Sequence, residues 1–423
     1  MKIDHRTTSR DLELNLGVEN VNYVLDKSNS YQPGVVVTLI HFFLSQLRSK
    51  KSFSLFIDTG SINEKDLSSK FFEYYQLVSV LLFDNTNRIK FQGNERLVEI
   101  LRNEYQEMLE IQENLYSMEM GLDILDGISK TKLENLRKSL FAVKSDSKLS
   151  SGFSFLIPCF DHKNSLKESN YLYSGSFIKS SIDMEQWIMR LFKFHKLSLD
   201  PSGLHKSTVS HIAEIVKELF HNTHDWARTT YDDSNVYSPN FRGAYLSLYL
   251  ENRLRKKSDL GSIDAVDDYL KLVHSKNLND LQIEIDQQFE IFHGSNKVSI
   301  CEISVLDTGR GMGPRWMEKE YNKISKEEEK ESVLKCFHKY ITSDQSGLMS
   351  LRGQGLSKVL SIIGNIGFIR VHSGGVLLTR NFLDKKLSSS EIDSGLINFK
   401  YESVNRIEGT CTTILYPIIY EMK

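Results

Sequence analysis

The sequence predicts an α/β protein: a C-terminal two-layer α/β sandwich over residues 201–423, preceded by an N-terminal α/β domain over 1–200. Three observations predict it. Apolar residues recur at helical spacing in several segments, most clearly at Val209, Ile212, Ile215, Val216, Leu219 and Phe220. Short runs dense in β-branched, aromatic or other apolar residues, above all 242–250 and 298–306, read as strands. Strand and helix patterns alternate through both halves, with polar residues at the helix ends, which favours a layered architecture.

Composition bounds the function. The 423 residues are 40 % apolar and 26 % charged, enough for two or three globular domains, which excludes a disordered chain, a collagen-like repeat or a disulfide-stapled miniprotein. The longest apolar stretches, 35–44 and 77–83, are half the length of a membrane span or less, and the charged start lacks the apolar core of a signal peptide. Cys159, Cys301, Cys336 and Cys411 form no CxxC or CxxH pair and read as buried, reduced thiols rather than metal ligands. A net charge of −2 leaves no electrostatic footprint for nucleic acid. The expectation is a soluble, cytoplasmic protein with no membrane partner; a nucleic-acid partner is not indicated, a local basic patch staying open.

In the first half, the turn at Pro33-Gly34 precedes a helix over 35–47, and a short alternating strand covers 52–57. Segment 65–83 is again apolar at helical intervals. A long amphipathic helix is expected over 95–118; it could serve dimerisation, although a core helix of the first domain is the simpler reading. Segment 153–160 looks like a strand broken at Pro158. Nothing in residues 1–200 names a chemistry, and a sensor or effector role is all that can be attached to them.

The second half is more informative. One helix spans 208–231, strands follow at 242–250 and 298–306, and the charged, partly helical segment 252–293 between them reads as an insertion. Residues 314–351 are polar around a helical stretch at 318–340, a glycine pair opens a helix over 355–366, and 367–371, 375–379 and 410–417 read as strands.

Three clusters carry chemistry. Glu218 and Asn222 are four residues apart on the first helix, and Asp225 three further on shares their face. A carboxylate and an amide oxygen stacked this way suit a hard cation that keeps some of its waters, as magnesium does on phosphates. Taken alone, the cluster reads more simply as a solvated polar stripe. Asp307, Gly309, Gly311 and Gly313 follow the strand at 298–306, where alternating glycines expose amides and let backbone approach a ligand, or simply make a turn. Gly353, Gly355 and Leu356 open the next helix, whose free N–H groups form a phosphate site if they are more than a loop-to-helix junction. Gly409-Thr410 on the last strand completes the set.

The order E-x-x-x-N-x-x-D, D-x-G-x-G-x-G, polar lid, R-G-x-G-L and closing G-T resembles the ATP-binding domain shared by DNA gyrase, heat-shock chaperone ATPases, histidine kinases and mismatch-repair MutL proteins, the GHKL superfamily with its Bergerat fold. The resemblance covers about residues 205–420. It implies that Asn222 coordinates magnesium on the triphosphate, with Asp225 on the same face, and that Asp307 binds the adenine amino group with support from Thr410. It further implies that Gly309, Gly311 and Gly313 shape the pocket and the start of an ATP lid over 314–351, and that Gly353, Gly355 and Leu356 bring amides to the phosphates. Glu218 would be the general base for the attacking water. Trp226 departs from the pattern, standing where chaperone and MutL proteins usually have Ala, and the 85-residue interval from Asn222 to Asp307 is long.

These implications lead to a magnesium-dependent ATP-binding protein, a slow ATPase acting as a conformational switch in signalling or defence. A histidine-kinase-like phosphotransferase is the second expectation, weakened because none of His195, His205 and His211 fits a phospho-acceptor. A non-hydrolysing ATP-bound scaffold is the third. The chain ends six residues after Pro417, so output is expected through residues 1–200, a protein partner or self-association as a dimer.

Overall fold

A computed structural model describes residues 2–3, 11–12, 20–24, 33–48, 54–58, 89–92, 153–159, 161, 171–194, 206–228, 240–249, 264–275, 296–338, 354–394 and 397–421. The helices expected at 65–83 and 95–118 lie outside these residues. The architecture is mixed α/β, built on two main sheets.

The first sheet is parallel, with strands β1 (Lys2–Ile3), β2 (Asn20–Val24), β3 (Ser54–Asp58) and β4 (Ile89–Gln92) in that spatial order. Helix α1 (Val35–Arg48) connects β2 to β3, as a crossover between parallel neighbours requires.

The second sheet has seven antiparallel strands and carries the main core. Its members are β5 (Phe153–Cys159), β8 (Arg242–Tyr249), β9 (Asn296–Asp307), β10 (Phe368–Ser373), β11 (Val376–Asn381), β12 (Lys400–Ser403) and β13 (Thr410–Glu421). Their order is β12-β11-β10-β13-β9-β8-β5. A small hairpin, β6 (Tyr173–Ser174) and β7 (Phe177–Ile178), stands apart. The strand expected to break at Pro158 instead runs through it, because β5 is an edge strand, where a residue without an N–H is tolerated.

Helices α2 (Ser181–Phe194), α3 (Lys206–Trp226), α4 (Ala265–Ser275) and α7 (Gly355–Ile363) join this sheet in one hydrophobic core that includes Ile188, Ile212, Val216, Tyr269, Val359, Ile303 and Ile414. Helix α3 is held because its apolar residues recur every three or four positions and face the strands, burying Val209, Ile212, Ile215, Val216, Leu219 and Phe220. Because β5 and α2 are built into this body, the sheet and its core draw on both sides of residue 200. Within the 252–293 segment, α4 is not a solvated appendage: Tyr269 is fully buried and donates to the carbonyls of Ile366 (2.9 Å) and Leu415 (3.3 Å).

The polar stretch after β9 differs from the single helix expected over 318–340. It folds as α5 (Met312–Met317), a 3₁₀ turn (Tyr321–Lys323) and α6 (Lys326–Lys335). Glu318 adopts a left-handed conformation that ends α5, and Ser325 starts α6 through a reciprocal capping box with Glu328, so local capping divides the segment. Helix α8 (Ser389–Ser394) lies between β11 and β12. Against the two layers expected, α1 covers the face of the sheet opposite α3 and α7, contacting β9 and β13. Among the described residues no helix is long and apolar enough to cross a membrane.

Candidate functional site

The three sequence clusters meet at one cavity of about 430 Å³ between α3, the β9 and β13 ends, α5 and the start of α7. Glu218, Asn222, Asp225, Asp307, Gly311, Gly355, Leu356 and Thr410 all line it. Antiparallel register sets Asp307, the last residue of β9, directly opposite Thr410, the first of β13. Residues 103 apart in sequence are thereby neighbours at the cavity floor. Asp307 Oδ1 accepts from Gly309 N at 2.8 Å, and Thr410 shares its hydroxyl with Ser373 Oγ at 3.0 Å. Ser373 Oγ also accepts from Met312 N at 2.8 Å, tying the first turn of α5 to the β10 end.

The opposite wall is α3. Glu218 and Asn222 face the N-terminus of α7, and a Cβ on Gly355 would lie 2.9 Å from Glu218 Oε2 and 3.8 Å from Asn222 Oδ1. Glycine therefore permits the close approach of α7's free amides to these side chains. Glu218 is not isolated: Lys217 Nζ lies 3.0 Å from its carboxylate and Lys358 Nζ 3.8 Å away. Both lysines also pair with Glu214, one turn earlier on α3. Burial alone would raise the Glu214 carboxyl, but its hydrogen bonds, led by the one from Lys358, bring it down to about 2. Asp225 pairs with His221 across one helical turn at 3.2 Å, and that hydrogen bond raises the imidazole above its ordinary range.

The remaining glycines divide by role. Gly311, at φ +82°, lines the cavity. Gly309 does not: a Cβ there would lie 2.6 Å from Ala227, so this glycine lets the β9 end pack on the last turn of α3. Gly313 likewise faces Glu329 of α6, at 2.9 Å from the Cβ position. Gly353 lies outside the described residues. Leu356 lines the cavity and belongs to the core cluster.

Trp226, the departure from the pattern, is a wall residue, and sequence reasoning did not assign several of its neighbours. Trp226 lines the cavity with the Arg315 guanidinium 4.7 Å from its ring centre, a cation–π contact between α3 and α5. Lys217, His221, Trp316, Cys336 and Lys358 are also lining residues. Lys217 directly precedes the E-x-x-x-N pattern and His221 falls inside it, so the motif could have flagged them. Trp316, Cys336 and Lys358 needed the tertiary fold. Of the histidines considered as phospho-acceptors, His195 and His205 lie outside the described residues, while His211 Nδ1 lies 3.0 Å from Tyr416 Oη, away from the cavity lining.

A buried ionic network braces the far end of α3. Arg242 donates to both oxygens of Asp161 at 2.7 Å and to Tyr173 Oη at 2.8 Å, and Arg228 adds a second cation at 3.2 Å. Tyr173 Oη in turn lies 2.9 Å from His224 Nδ1; burial, then the two arginines, push that imidazole down to about 4, so it is neutral.

As for magnesium, no cluster of three or more His, Cys, Asp or Glu side chains among the described residues could hold a metal ion alone. The oxygens present fit only a hard cation that takes one or two protein oxygens and completes its shell with phosphate and water; Asn222 Oδ1, which faces the start of α7, is an oxygen of that kind.

No protein-family model, curated protein or solved structure matches the chain.

Proposed function

We propose that the protein binds ATP with magnesium in this cavity and hydrolyses it slowly, the nucleotide acting as a conformational switch on a Bergerat-type fold of the GHKL superfamily. The observation that carries the proposal is convergence: Glu218 and Asn222, Asp307 and Thr410, and the Gly355 helix start lie far apart in sequence yet face one cavity. Each wall then has a chemical task. Asp307 accepts from Gly309 N, and a carboxylate, with an acceptor at each oxygen, is the group type that suits an exocyclic amine such as that of adenine. The amides at the start of α7 and the Lys358 ammonium suit phosphate oxygens. Asn222 would hold magnesium, which supplies charge neutralisation on the triphosphate. Glu218 would accept the proton of the attacking water, with the Lys217 ammonium beside it to hold the carboxylate in place.

Phosphate-release assays on Glu218→Ala test the enzyme reading. The variant is expected to bind ATP within a few-fold of wild type and to lose turnover by roughly 100-fold or more, the usual range for removing a general base. Equal phosphate release from both proteins would refute Glu218 as the base. A binding-only scaffold has one observation in its favour, the two lysines that neutralise Glu218, and wild-type turnover at background would select it. Acid-labile label on the protein after incubation with labelled ATP would instead select the phosphotransferase.

A further inference from the structure

The back of the seven-stranded sheet has a composition that its front does not require. Along β9, Cys301, Ile303, Val305 and Asp307 turn towards the helical layer and the cavity, so Glu302 and Ser304 turn the other way. A polar outer face on an antiparallel sheet ordinarily meets water. Here Glu302, Ser304, Arg370, His372 and Thr413 are buried, and α1 is what lies against them.

Helix α1 is seated by specific polar contacts at both ends. The Glu302 carboxylate accepts from Gly34 N at 2.8 Å, Tyr249 Oη at 2.8 Å and Ser304 Oγ at 2.9 Å. Gly34 directly precedes α1, so the positive end of the helix is set on a buried negative charge. One turn on, Thr38 Oγ1 accepts from Arg370 at 3.0 Å. His41 Nε2 then lies 2.7 Å from the Glu408 carbonyl, and Glu408 N donates to Ser45 Oγ at 3.0 Å. Both main-chain groups of Glu408 end on α1. Burial is the main force holding the His41 imidazole down to about 4, so it is neutral, and because a carbonyl only accepts, Nε2 carries the proton.

We propose that His41 is a positioning residue for the nucleotide base: from behind the sheet it holds the main chain of Glu408 on α1 and so fixes Thr410 against Asp307 at the cavity floor. The inference rests on the ATP-binding reading above. The transmission is short. Gly409, the single residue between Glu408 and Thr410, has φ +85°, and a Cβ there would collide with the Asp307 carbonyl, so the 408–410 backbone is packed against Asp307. A shift of Glu408 therefore moves Thr410 relative to Asp307. Because α1 also links β2 to β3, the parallel sheet meets the cavity floor through this helix, whose His41 and Ser45 hold Glu408. Occupancy of the cavity and the placement of that sheet are then coupled, and the coupling acts in both directions.

The test uses the full chain. Magnesium-ATP is titrated calorimetrically into wild type, His41→Ala, His41→Gln and Phe43→Leu, with the melting temperature of each ligand-free protein and kcat at saturating ATP. Phe43 is a buried residue of the same helix that has no part in the Glu408 contact, so its substitution reports helix stability alone. His41→Ala is expected to weaken ATP about tenfold with kcat at saturation within about twofold of wild type, the size of one lost hydrogen bond to a binding contact. His41→Gln retains an N–H donor and is expected to recover most of the affinity. Phe43→Leu is expected to melt lower with an unchanged dissociation constant. Wild-type affinity in a folded His41→Ala, or an equal loss in Phe43→Leu at the same fall in melting temperature, overturns the inference while leaving the ATP reading intact. A wild type that binds no ATP defeats that reading directly, and this inference with it.

Discussion

At the scale of single residues, what decides each position is what its side chain would displace. Gly309 illustrates the difference between a glycine that opens space for a ligand and one that closes a gap between elements. Its pattern, D-x-G-x-G-x-G, suggests nucleotide contact, yet a Cβ at Gly309 would fall 2.6 Å from both Cα and Cβ of Ala227, a backbone neighbour that cannot rotate away. Gly309→Ala is therefore expected to cost about 1–3 kcal/mol of stability, read as a lower midpoint in denaturant unfolding. An unchanged midpoint would mean that α3 and the β9 end can part freely. Sequence carried the residue types of the site well, because helical spacing alone puts Glu218, Asn222 and Asp225 on one face. It could not separate Gly309 and Gly313, which serve packing, from Gly311, which lines the cavity, since all three share the same pattern and differ only in what lies opposite. Nor could it find Arg315 over Trp226, a contact between residues 89 apart.

At the scale of elements, the strands and the long helix were legible because each has a strong period. The strand at 298–306 and the helix at 208–231 correspond to β9 and α3 with shifts of a few residues at their ends. The region after β9 was misjudged for a physical reason: helical composition runs through it, but Glu318 in the left-handed region and the Ser325–Glu328 capping box impose stops that composition does not encode. That region is pinned as well as folded. Buried Glu329 on α6 accepts from Arg406 at 3.1 Å and from Gly375 N at 3.4 Å, and the Arg406 guanidinium sits 4.4 Å from the Tyr321 ring centre. Truncating Arg406 leaves that carboxylate short of its cation. Arg406→Ala is thus expected to loosen α6 and raise amide exchange across 326–335, by a stability loss of about 3 kcal/mol. Unaltered protection there would show that α6 is held by its apolar contacts alone.

At the scale of the whole molecule, the two sheets share α1, which one sheet uses as its crossover and the other as its back cover. The sequence divided the chain near residue 200 because chemistry begins there; burial follows a different line, with β5, α2 and α1 all contributing to or covering the antiparallel sheet. This arrangement has a signature in acid. His41 is held at about 4 against an ordinary value of 6.5, and burial places His372 well below its ordinary range too. Between those values the unfolded chain binds protons that the folded chain does not, so stability is full above about pH 6.5 and falls as pH drops towards 4. A shift of that size corresponds to roughly 3 kcal/mol for His41. Unfolding free energies measured between pH 7 and pH 4 are expected to fall less steeply in His41→Gln than in wild type. Parallel slopes would place His41 in contact with water.

The central claim is that the cavity is a nucleotide site whose base is read by Asp307. Calorimetric titration of magnesium-ATP into wild type and Asp307→Asn, with phosphate release followed in parallel, tests it most directly. Asp307 accepts from Gly309 N, and the amide that this substitution introduces has a donor in place of the second acceptor oxygen that the proposed adenine contact would use. Saturable binding in wild type with slow phosphate release, lost or weakened at least about 100-fold in the folded variant, is the predicted result. Equal affinity in the two proteins, or no binding in wild type, would contradict it.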